Sequence, residues 1–294
     1  MRPQVIIVAT LLLSATLFAV NLVVAIASGS RAVLAQAIYT ITDLVGSGLL
    51  LWGLHLSKRP ASHEYPFGRG KERFFWAFVS IVVTFTVAGV LALTEGVDQI
   101  VSPQPVTHLG EGLLVVGATI VVSLLSIWVT LRELRLSRVT LTSLLESANQ
   151  GLKAIFYQDL VSIGGSLVAF FGLAVVYRTG DSLADGVSAA LEGVFLIATG
   201  FVLTAESREY LIGRALAPED ARAMLAVVER NPSVAKVRSL QSMLLGPDDA
   251  LLALRINFQD GMTTDQLEVA IDQVTLALRT AYPVLRHIVI EPES

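Results

Sequence analysis

The apolar positions of this chain are gathered into long unbroken runs. Six of them approach or exceed the roughly 20 residues that a membrane-spanning helix requires. They are approximately Val5–Ala27, Ala32–Leu56, Phe74–Leu93, Leu113–Leu131, Ala154–Tyr177 and Gly186–Ala205. The first follows Arg2 and is longer than the apolar core of a signal peptide, and another span follows it at once, so it is read as a retained helix. After Ala205 the pattern shortens and charges become frequent. Pro218–Arg230 reads as a helix: Pro218 suits its first turn, Glu219 and Asp220 suit its positive end, and Asn231-Pro232 stops it. Val234–Leu245 and Leu251–Phe258 read as strands about the turn residues Gly246-Pro247-Asp248-Asp249, with Leu252, Leu254, Ile256 and Phe258 on one face. Thr263 and Gln266 form a capping-box signal ahead of the stripe Leu267, Ala270, Ile271, Val274 and Leu278. A last strand, Val284–Ile290, follows Pro283.

The expected architecture is an all-α six-span transmembrane bundle over residues 1–206. A small α+β domain of order αββαβ follows over residues 207–294, with its helices on one face of an open sheet. Composition agrees: 53% of the 294 residues are hydrophobic and 16% charged, against about 45–50% and about 25% in soluble domains. Lys and Arg collect before the first span and in the connections after the second and fourth, at Lys58, Arg59, Arg69, Lys71, Arg73, Arg132, Arg135, Arg138 and Lys153. The positive-inside rule then places both termini in the cytosol. The chain has no Cys, which removes disulfides, thiolate metal sites and cysteine nucleophiles. A formal net charge of -4 gives no reason to expect nucleic acid. Gly68-Arg69-Gly70-Lys71 lacks the preceding strand and the spacing of a phosphate-binding loop. No nucleophile-base motif is readable, so an enzyme is not expected.

Ionisable groups inside spans are costly and are functional candidates by default. Three carboxylates qualify: Asp43 in the second span, Asp159 in the fifth and Glu192 in the sixth. Tyr39 and Asp43 are four residues apart and share a helix face, with Gln36 and Thr40 on the same broad side. Gln158 stands beside Asp159, with Ser162 one turn beyond Gln158. Two facing helices with one carboxylate each make an oxygen-rich cation site. Counting from the outer span ends puts Asp43 roughly 17 Å deep and Asp159 roughly 27 Å deep, a mismatch that tilt or an overshooting fifth helix would close. Glu192 has no local pattern around it and is read as a carboxyl satisfied within the bundle.

Four stretches resemble the cation diffusion facilitator, or cation efflux, family and cover nearly the whole chain. Ala35-Gln36-Ala37-Ile38-Tyr39-Thr40-Ile41-Thr42-Asp43 resembles the second-span stretch that carries half the family's metal site. Arg59-Pro60-Ala61 with Glu64-Tyr65-Pro66-Phe67-Gly68-Arg69-Gly70-Lys71-Glu72-Arg73 resembles its cytosolic loop. Ile155-Phe156-Tyr157-Gln158-Asp159 stands where the second metal pair belongs. Asp185 with Ser188, then Ala205-Glu206-Ser207-Arg208 and Leu211-Ile212-Gly213, resemble the sixth span and its exit. Phe74-Phe75-Trp76 and Glu95-Gly96 look most like the branch with the divergent mitochondrial member. The resemblance implies efflux of a divalent metal cation in exchange for protons, and pairing of the cytosolic domains of two chains. It implies Asp43 and Asp159 as metal ligands, helped by Tyr39 and Gln158. No resident cofactor is implied, since zinc, manganese or iron(II) would be cargo. Partners are then metal ions, protons, the lipid bilayer and a second copy of the chain. A bacterial inner membrane fits the missing cysteines and the positive loops, with an organelle membrane as the alternative. Tyr39 and Ile155 depart from the family's ligands, and the oxygen bias suits manganese or iron(II) somewhat better than zinc. The departures keep open a non-transporting scaffold or regulatory relative.

Overall fold

The computed structural model describes residues 3–136 and 150–293. The first 26-residue helix, α1, runs Pro3–Ser28 and the 27-residue α2 runs Arg31–Ser57. The third membrane segment is composite: α3 (Glu72–Ile81), a π-helical stretch Val82–Val87, and α4 (Ala88–Val101). Next come α5 (Leu109–Leu136), α6 (Gln150–Thr179) and α7 (Leu183–Ile212). Among the described residues, five helical segments from α2 onward are long and apolar enough to cross a membrane. With α1 they make the helical membrane bundle that the apolar runs predict. The helices outlast those runs. The sixth begins at Leu183 rather than Gly186 and continues through Glu206, Arg208 and Glu209 to Ile212. Nothing in that polar extension breaks a helix. It stops at Gly213, whose φ of +117° suits a residue without a side chain.

The chain divides into two compact units, Met1–Trp52 with Trp76–Glu206, and Gly53–Phe75 with Ser207–Ser294. In the first, large apolar side chains point outward, with Phe201 77% and Val202 65% exposed. Such a surface fits lipid tails rather than water. One internal cluster joins Val24, Val33, Val116, Ala169 and Leu173 from α1, α2, α5 and α6. Another joins Tyr39, Phe85, Val161 and Leu196 from α2, the π stretch, α6 and α7. α4 and α7 approach closely through glycine. A Cβ on Gly96 would lie 2.3 Å from the Ala190 backbone nitrogen, and one on Gly193 would lie 2.4 Å from that of Leu93. Small residues allow such backbone contact between membrane helices.

The second unit holds α8 (Pro218–Glu229), β1 (Val234–Gly246), β2 (Asp249–Phe258), α9 (Thr264–Ala281) and β3 (Leu285–Glu293). The sheet order is β1-β2-β3, β1 pairing antiparallel and β3 parallel to the central β2. Leu252, Leu254, Ile256 and Phe258 are buried, and the Thr263–Gln266 capping box opens α9. Asp248 is exposed, but Asp249 starts β2 half-buried, its Oδ2 3.9 Å from His287 Nε2. Register explains this: Ala250 pairs with Leu285 and Leu251 with His287, so β3 walls in the head of β2. The segment Gly53–Phe75 packs within this unit. Phe67 meets His287 edge-on at 5.1 Å, and Phe74 lies 5.3 Å from Tyr210. Arg69 pairs with Glu72 at 3.0 Å and sits over the Tyr65 ring.

Candidate functional site

The first half of α2 carries polar residues at Gln36, Tyr39, Thr40, Thr42 and Asp43. The threonines fold back on the backbone. Thr40 donates to the Gln36 carbonyl at 2.7 Å, and Thr42 donates to that of Tyr39 at 2.8 Å. Thr42 and Thr84 also reach each other's carbonyl oxygens, at 3.4 and 3.3 Å, tying α2 to the π stretch. That leaves Asp43 as the side chain on this face with uncommitted capacity. It is half-buried, and its Oδ1 is shut from solvent with no hydrogen-bond partner among the described residues.

The register between α2 and α6 decides whether Asp43 and Asp159 meet. Ser166 Oγ donates to Gln36 Oε1 at 3.1 Å. Val33 packs in one cluster with Ala169 and Leu173, and Tyr39 in another with Val161. Residue numbers rise on one helix as they fall on the other, so the pair is antiparallel. Asp43 is seven residues beyond Gln36, and Asp159 is seven residues before Ser166. Each is therefore two turns, about 10 Å, from the Gln36–Ser166 bond, in the same direction. The two carboxylates are level. The depth mismatch vanishes because α6 runs on to Thr179, 13 residues past Ser166, while α2 begins only five residues before Gln36.

Asp159 is half-buried, and its Oδ2 accepts a hydrogen bond from Ser126 Oγ of α5 at 2.6 Å. One turn away Ser123 and Ser162 share a 2.9 Å bond. Reasoning from single spans misses these α5 serines beside Asp159, although their three-residue spacing on one face was a usable signal. Tyr39 is buried against Phe85, ring centroids 6.3 Å apart. The side chains of Gln158 and Ile155 lie outside the described residues. Among the described residues, no group of three or more His, Cys, Asp or Glu side chains is placed to hold a metal ion. A cation between α2 and α6 would thus take two carboxylates and complete its shell with neutral oxygens or water.

Glu192 is satisfied within the bundle on one side only. Its Oε1 accepts from Gln36 Nε2 at 2.6 Å, while the buried Oε2 has no partner among the described residues. Asp185 caps α2 from another helix. It accepts from Ser30 Oγ at 2.5 Å and from the backbone N–H groups of Arg31 at 2.6 Å and Ala32 at 3.3 Å. Arg31 in turn pairs with Glu95.

This is a multi-pass membrane protein with charged and polar groups turned into its helical bundle. The family model of the cation efflux transmembrane domain matches residues 6–212, and the chain belongs to that family, one of transporters and not of enzymes. It is 23% identical over 240 residues to metal tolerance protein C4 of Arabidopsis thaliana, covering 80% of this chain and 52% of that protein. It is 24% identical over 242 residues to the human mitochondrial proton-coupled zinc antiporter SLC30A9, covering 81% and 43%. It is 25% identical over 258 residues to the cation-efflux pump FieF of Klebsiella pneumoniae (strain 342), covering 87% and 81%. The chain thus spans about half the length of the first two.

Proposed function

We propose that this chain exports a divalent metal cation in exchange for protons, by alternating access, from a site between α2 and α6. The proposal is carried by the common level that the Gln36–Ser166 register gives Asp43 and Asp159, together with an Asp43 Oδ1 that has no hydrogen-bond partner among the described residues. Two carboxylates neutralise a divalent charge, and Tyr39 and Gln158 are the neutral helpers. Carboxylates bind metal only when deprotonated, so cation arrival releases protons and protons arriving from the far side favour release. Two relatives, a proton-coupled zinc antiporter and a cation-efflux pump, support this chemistry. The all-oxygen donor set suits manganese or iron(II) somewhat better than zinc. The Lys and Arg distribution supports cytosolic termini, as in a bacterial inner membrane. We further propose residues 1–206 as the transport domain, and 207–294 as the cytosolic domain through which two chains pair.

The test is flux into proteoliposomes under an imposed pH gradient, with zinc, manganese and iron(II) in turn. Wild type moves at least one of them against counterflowing protons. Asp43→Asn and Asp159→Asn each fall to the background of empty vesicles while eluting as folded protein. Wild-type flux in both single variants removes the mechanism. One observation favours the rival, a non-transporting regulatory relative: the Tyr39 ring is engaged in an apolar cluster at a position where the family holds a ligand. A wild-type chain that moves none of the three metals decides for it.

A further inference from the structure

Glu192 of α7 stands in the bundle with 1% exposure, alongside Gln36 of α2 at 1% and Ser166 of α6 at 0%. The three form a chain of hydrogen bonds: Ser166 Oγ to Gln36 Oε1 at 3.1 Å, and Gln36 Nε2 to Glu192 Oε1 at 2.6 Å. The chain stops at Glu192 Oε2, which is buried and bare among the described residues. Gly165 gives these groups their space. A Cβ there would lie 3.1 Å from Glu192 Oε1 and 3.2 Å from Gln36 Nε2. The basic residue at the head of α2, Arg31, is committed to Glu95. Among the described residues no ion pair reaches Glu192, so its ionised form leaves a buried charge uncompensated, which is expensive. A neutral Glu192 fares little better. With Oε1 holding the amide, its proton would sit on Oε2 as a donor lacking an acceptor. A bound cation resolves both difficulties, because it supplies positive charge and asks only for oxygen lone pairs.

The trio is two helical turns along α2 from Asp43, about 10 Å, toward the end where α2 begins. We infer that Glu192, held in place by the Gln36 amide that Ser166 anchors, forms a second station for the transported divalent cation, separate from the Asp43–Asp159 pair. This rests on the transport reading above. A single carboxylate with neutral oxygens holds a hard divalent ion more weakly than two carboxylates do, with water filling the rest of its shell. A weaker station beyond a stronger one lets an ion leave a deep site in two short steps instead of one long one.

The test is Mn²⁺ binding by calorimetry on the full chain in detergent, joined to Mn²⁺ flux in proteoliposomes. Glu192→Gln is isosteric and keeps an acceptor for the Gln36 amide, and thermal unfolding without metal checks that it folds. Asp43→Asn/Asp159→Asn retains one weak Mn²⁺ per chain, and adding Glu192→Gln abolishes it. Adding Glu192→Asp instead, which keeps the charge, preserves it. Glu192→Gln alone binds Mn²⁺ at the strong site within about threefold of wild type but slows flux at least about tenfold, the scale on which shell residues matter. Absence of residual binding in the double Asp variant overturns the inference, as does residual binding that Glu192→Gln leaves in place, or unaltered flux in Glu192→Gln. A wild-type chain that neither binds nor moves Mn²⁺, zinc or iron(II) overturns the transport reading as well, so the two failures are distinguishable.

Discussion

Changing Gly96 to Ala adds one methyl group at the closest approach of α4 and α7. That methyl would meet the Ala190 backbone nitrogen at 2.3 Å, and Ala190 Cα and the Gly186 carbonyl oxygen at 2.7 Å. All three are backbone atoms in a helix, so no side chain can swing aside. Ordinary contact begins near 3.4 Å, so the helices must part by about 1 Å, and overpacking of this kind costs about 1–3 kcal/mol. Gly117→Ala in α5 is the matched control: the same methyl meets nothing within 4 Å. There the added Cβ should only rigidify the helix, a gain of up to about 1 kcal/mol. Thermal unfolding of both full-length variants in one detergent reads the difference. At about 2–4 °C per kcal/mol for a chain of this size, Gly96→Ala should melt several degrees below wild type and Gly117→Ala at or slightly above it. Equal melting temperatures for the two variants would refute the claim that backbone contact through glycine fixes this helix pair.

Ser126→Ala removes the 2.6 Å donor to Asp159, and calorimetry should find metal affinity about 10–100-fold weaker; unchanged affinity would show that α5 takes no part in positioning the carboxylate. In the second unit, burial pushes the Asp249 carboxyl above its ordinary range, while His287 and Arg286 pull it partly back. The folded chain then holds this proton to higher pH than the unfolded chain, so stability is lost as pH rises through the folded pKa, and no penalty remains below the ordinary aspartate range. Asp249→Asn should therefore raise the melting temperature at neutral pH, with a gain that shrinks as pH falls through that range; a gain independent of pH would assign the effect to packing.

What the sequence discloses and what it withholds divide along the range of the interactions. Spans, the Thr263–Gln266 cap and the β2 alternation are legible because each depends on neighbours a few residues away. Asp43 and Asp159 stand out for the same reason, each a lone carboxylate in an apolar run. Their common level is invisible to counting from span ends, because it is set by one bond between Gln36 and Ser166, 130 residues apart. Glu192 looks unaccompanied for that reason too: its partner Gln36 is 156 residues distant. Asp185 is visible as a resemblance, but its task of capping α2 across 154 residues is not. The π stretch Val82–Val87 carries no local mark, since its Val, Thr and Phe residues suit an α-helix in a membrane equally well.

The segment Gly53–Phe75 lies in sequence between two membrane helices yet is packed with the C-terminal residues. The polypeptide consequently passes from one unit to the other at three places, near Trp52, Phe75 and Glu206. Unfolding the C-terminal residues would therefore also release the segment that joins the second and third membrane segments.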